Sequence, residues 1–157
     1  MTTVYHLDQD EENIASIVGL EIALADEVEF VDTNETNQTF GNVNFVTGKD
    51  FLNIYITPGK SKISIKPKNK NGNTIYEVKM VCLHPKDRAL AAEILMNIAR
   101  HNVLAKYTTG NGEVKLIGTH LEWAQVSVEP TNEDGGGYDG YEITIEGDFS
   151  QPPLFEA

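Results

Sequence analysis

Apolar residues recur at every second position in several separate segments of this chain. Leu20, Ile22 and Leu24 alternate with other residues and Val28-Glu29-Phe30 does the same, which is the two-residue period of half-buried strands. Asp32 to Asn44 is rich in Asn and Thr and is expected to be a loop. Phe51 to Thr57 predicts a strand, stopped by Pro58-Gly59, because proline fixes φ and glycine accepts positive φ. In Lys60 to Lys68 the even positions are Lys or Ser and Ile63 and Ile65 lie between them, so a half-buried strand with a lysine-lined outer face is expected. Asn71-Gly72 marks a hairpin turn, and Ile75 to Leu83 returns with Tyr76, Val78, Met80 and Cys82 on one face.

After Pro85 the period changes. Leu90, Ile94 and Ile98 stand four apart, flanked by Ala91 and Leu95, which predicts an amphipathic helix over about 85–102 with Pro85 opening it and Asn102 ending it. Val103 to Thr108 and Glu113 to Gly118 read as strands joined by Thr109-Gly110-Asn111-Gly112. Leu121 to Val128 is a further strand, Pro130 to Gly140 a loop, Tyr141 to Gly147 a last alternating strand, and Pro152 to Phe155 an extended end. The expected class is α+β, mostly β: a β-sandwich or split β-barrel with one central helix burying its stripe on the sheet, or offering it to another subunit. Residues 1–157 suit a single domain, with the acidic segment 1–13 and the loop 32–44 as its mobile parts.

Charge changes this picture. The net charge is −12, but residues 1–50, 51–106 and 107–157 carry −10, +7 and −9 respectively. The overall sign argues against sequence-specific binding of nucleic acid, which needs Lys and Arg against phosphate. Segregated charge can steer a molecule onto copies of itself or onto a partner, unless the segments interleave in space and cancel. The start of the chain shows no signal peptide, and no apolar stretch approaches the ~20 residues of a membrane span, so a soluble intracellular protein is expected.

Chemical motifs are sparse. His6, His84, His101 and His120 are scattered, and neither a nucleophile elbow nor a phosphate-binding loop occurs. Cys82, the only cysteine, would share a strand face with His84, but nothing else completes a site, and a buried structural thiol is expected. Glu133, Asp134, Asp139 and Glu142 surround Gly135-Gly136-Gly137 in a loop that is either solvated or a weak calcium site of no standard spacing. No catalytic residue, cofactor or metal ligand is assigned, and an enzyme is not expected. Lys60, Lys62, Lys66, Lys68 and Lys70, with Glu133, Asp134 and Asp139, are the interface candidates. The lysines either guard a strand edge or meet the acidic surface of a neighbouring subunit. A different class, a β-sandwich binding carbohydrate or calcium, would use Trp123, Tyr138 and Tyr141 as stacking faces.

Several segments together bear a family resemblance. Tyr55 to Lys66 with Thr57-Pro58-Gly59, the return Asn71-Gly72-Asn73-Thr74-Ile75-Tyr76, the central helix, Lys106 to Thr119, Tyr141 to Gly147 and Pro152 to Phe155 resemble small tail proteins of long-tailed phages and prophages. These are similar in outline to the tail-tube family and its secretion-system relatives. The resemblance covers about residues 51–157 and implies a β-sandwich or split barrel flanked by one helix. It also implies a virion structural protein that self-assembles into rings, commonly hexameric, stacked around a lumen. Its partners would be further copies and other tail proteins, met in the bacterial host cytoplasm before the virion is complete. An acidic lumen would repel DNA and let it pass.

Overall fold

Tyr76, Val78, Met80 and Cys82 fall on one face of a long strand, and burying that face organises the protein. In the computed structural model, which describes residues 17–57, 59–85, 89–132 and 139–157, this strand is β6 (Asn73–Pro85), and Val78, Met80 and Cys82 are buried. It pairs antiparallel with β10 (Asp139–Phe149) from Gly140↔Pro85 to Phe149↔Tyr76, and Ile143 and Ile145 of β10 extend the same apolar face. β9 (Ala124–Asn132) continues it with Val126. On the other side of β6 lies β5 (Lys62–Lys70), joined to it by Asn71 and Gly72 alone. Both have positive φ, 53° and 83°, which is the geometry that a two-residue hairpin turn requires of its central residues.

The second layer is built on β1 (Ile17–Leu24) and β7 (Asn102–Thr109), which pair antiparallel. Ile17, Leu20, Ile22, Val103, Ala105 and Tyr107 share one core with the apolar faces of β6, β9 and β10. β4 (Leu52–Ile54) lines the free side of β1, and β8 (Val114–Ile117) follows β7 on the other side. β2 (Val28–Asn34), β3 (Thr39–Phe45) and β11 (Leu154–Glu156) complete it, with β11 inserted parallel to β3 and antiparallel to β8. A smaller core of Ala23, Val28, Val31, Phe40, Leu104, Leu116 and Leu154 packs here. Leu104 faces this core while Val103 and Ala105 face the larger one, so β7 is buried on both sides.

Hydrogen bonding runs in the order β2-β3-β11-β8-β7-β9-β10-β6-β5, with β1 attached to β7 and β4 to β1. The sheet does not close into a barrel, and β2 and β5 are left as the ends of the strand order. The architecture is the expected mostly-β, sandwich-like one, with one α-helix among the described residues.

Several boundaries differ from those expected. Asp32 to Asn44 is not a loop: it lies within the β2–β3 hairpin, whose turn covers 35–38. Phe40 within that stretch and Val31 beside it are its buried anchors, with Val43 packed against the same core, and the ladder of backbone hydrogen bonds holds the polar remainder. Pro85 does not open the helix but closes β6 opposite Gly140, and the helix α1 spans Ala89–Ala99. Alanine, leucine and glutamate favour the helical backbone there, and the His101 ring donates from Nδ1 to the Asn97 carbonyl at 2.7 Å near its end. α1 is also rotated from the expected stripe. Leu95 and Ile98 are buried, while Leu90 is 67% and Ile94 36% exposed, because α1 rests on β7 and β9 by one narrow edge. Phe51 to Thr57 shrinks to the three residues of β4, β9 begins at Ala124 after a tight turn bridging Thr119 and Glu122, and β9 and β10 reach into the expected 130–140 loop. Residues 1–13 lie outside the described residues.

Candidate assembly surface

Lys62, Lys66, Lys68 and Lys70 project from one face of β5, since strand side chains alternate. Lys60 precedes the strand, its N–H donating to the Thr57 carbonyl at 3.4 Å. The strand is less buried than expected: Ile63 is half-buried against the core, but Ile65 is 37% exposed, because β5 is terminal and little packs over it. From Lys66 to Thr74 every residue of the hairpin end is exposed.

The lysines do not face water uniformly. Lys66 lies directly opposite Glu77 on β6, and the Lys68 ammonium meets the Glu77 carboxylate at 2.6 Å. That hydrogen bond and the charge of Glu77 raise the Lys68 pKa. Lys79 on β6 is flanked by Ser64 on β5 and Glu146 on β10. Elsewhere Lys106 of the basic middle segment pairs with Glu21 of the first at 2.9 Å, while Lys49 and Glu27, 3.7 Å apart, pair within the first. The three charge segments therefore interleave in part. Among the described residues Lys62, Lys66 and Lys70 have no ion pair.

The other end of the strand order carries the opposite sign. Glu29 and Asp32 are exposed on β2, Glu35 is exposed in the following turn, and none of the three has an ion pair among the described residues. His120 closes part of this edge. Its Nδ1 accepts the Val31 N–H at 3.2 Å, so that nitrogen holds its lone pair, and the Phe30 ring lies against the imidazole with centroids 4.6 Å apart. The sequence pattern marks a strand only as far as Phe30 and a loop from Asp32, so it does not single out β2 as a site.

Cys82 is wholly buried and desolvation raises its thiol to about 12, so it is protonated and shielded; His84 instead donates from Nδ1 to the Tyr55 carbonyl at 2.6 Å. Tyr141, expected as an exposed stacking face, is 3% exposed and belongs to the core, because its odd position on β10 points inward with Ile143 and Ile145. Trp123 is half-buried and borders a depression of about 540 Å³ shared with Lys66, Lys79 and Glu146. An apolar groove of about 220 Å³ lies between β4 and α1, lined by Leu52, Tyr55, Leu90 and Ile94. The rotation of α1 leaves it uncovered.

Glu133, Asp134 and Tyr138 lie outside the described residues, and Asp139 is placed only by its backbone, paired with Asn132. The calcium reading of that loop therefore also falls outside them. Among the described residues no group of three or more His, Cys, Asp or Glu could hold a metal ion, and no helix is long and apolar enough to cross a membrane. No known protein family, curated protein or solved structure matches the chain.

Proposed function

We propose that this is a non-catalytic structural protein that works by assembling with further copies of itself, as a component of a phage or prophage tail. The observation that carries this reading is the open sheet, whose strand order ends on two exposed strands. An exposed strand is a template for pairing, and a chain that leaves such strands at the ends of its order either blunts or uses them. The segments resembling tail proteins, at about 51–157, contain one of these strands, and the uncovered apolar groove beside α1 adds contact area of the kind subunits bury. The net charge of −12 suits a tube through which DNA must slide without sticking.

Light scattering and negative-stain microscopy on the purified chain test this. Rings, tubes or discrete oligomers are expected at high protein concentration and low salt. A protein that stays monomeric at every concentration, and from about 0.05 to 0.5 M salt, would overturn it.

A further inference from the structure

We infer that the basic strand β5 of one copy docks against the acidic strand β2 of the next, so that copies associate head to tail. This rests on the assembly reading and names its contact. The two strands end the same hydrogen-bonded order, and their unpaired charges are opposite in sign: Lys62, Lys66 and Lys70 on one, Glu29, Asp32 and Glu35 at the other. The lysines recur every four residues, about 13 Å apart along one face of β5, while Glu29 and Asp32 lie on β2 and Glu35 in the turn that follows it.

Charge also selects the symmetry. Two β5 strands brought together would oppose lysine to lysine, and two β2 strands carboxylate to carboxylate, so a twofold contact through either edge is disfavoured. A β5-to-β2 contact uses two different surfaces. Such a contact leaves one free β5 and one free β2 on every pair, and growth continues until a ring closes or a filament extends. His120 shapes the contact as well. Because its ring already takes the Val31 N–H and covers one side of Phe30, β2 does not offer an uninterrupted ladder, and the charged side chains on either side of that plug make the contact. Lys68 contributes least, since Glu77 of its own chain holds it at 2.6 Å.

Two triple variants test this by sedimentation velocity at about 0.05 M salt, with circular dichroism to check that each folds. Lys62→Glu/Lys66→Glu/Lys70→Glu makes both ends acidic, and Glu29→Lys/Asp32→Lys/Glu35→Lys makes both ends basic. Each alone is expected to associate roughly a hundredfold more weakly than the wild type, since three attractive pairs become repulsive. An equal mixture of the two is expected to regain assembly, with the variants alternating. If either variant alone assembles like the wild type, or the mixture stays dissociated, the edge contact is wrong while self-assembly stands. A wild-type protein that never assembles overturns both.

Discussion

Replacing Gly118 with alanine adds one carbon where the chain has no room for it. Gly118 follows β8 with φ +91°, and a Cβ there would stand 2.7 Å from the Glu122 carbonyl oxygen and 3.2 Å from Cδ2 of Leu104. The oxygen belongs to the turn in which the Thr119 N–H donates to the Glu122 carbonyl at 2.8 Å and the Glu122 N–H donates back at 3.2 Å. The Glu122 carboxylate accepts the Ser150 N–H at 3.0 Å, so the turn is tied at both sides and cannot simply move away. Gly72 supplies the control. Its φ is +83°, but nothing lies within 4 Å of an added Cβ. Gly72→Ala therefore carries only the left-handed backbone penalty, about 1–2 kcal/mol, whereas Gly118→Ala adds about 1–3 kcal/mol of overpacking. Urea denaturation of both variants at one protein concentration measures the difference. Equal losses would show that the 119–122 turn yields freely and refute the packing argument. The turn also carries His120, so Gly118→Ala is expected to loosen the β2 edge as well.

Desolvation raises the Cys82 thiol from 9.0 to about 12 and, together with the charge of Glu113, the Tyr107 hydroxyl from 10.0 to about 12. Both groups stay neutral in the fold after the unfolded chain has lost its protons, so stability is complete below about pH 9 and falls between there and about pH 12, and urea midpoints unchanged up to about pH 11 would refute this. On α1, Leu95→Ala is expected to cost about 2–5 kcal/mol and Leu90→Ala under about 0.5 kcal/mol, measured by thermal melts; equal costs would mean that the helix packs on its Leu90 edge instead.

The alternation of apolar residues by itself determined the mostly-β class, the β5–β6 hairpin and the inward face of β6. That legibility has a local cause: a strand with one buried face must repeat every two residues, and Asn71-Gly72 permits a turn that few other pairs allow. The lysine series was equally plain, since five lysines lie within eleven residues. Its partner surface was not. β2 became a candidate only when its place at the end of the strand order was known, because which strand is left uncovered depends on the pairing of all the others. The same holds for α1: the spacing of Leu90, Ile94 and Ile98 shows that one side is apolar, but which edge of that side is covered depends on where β7 and β9 lie beneath it. The burial of Tyr141 and the β2–β3 hairpin are not legible in the sequence for a related reason. A polar strand and an inward tyrosine are stabilised by neighbours distant in sequence, through a backbone ladder in one case and a shared core in the other, and only the tertiary structure brings those neighbours within reach.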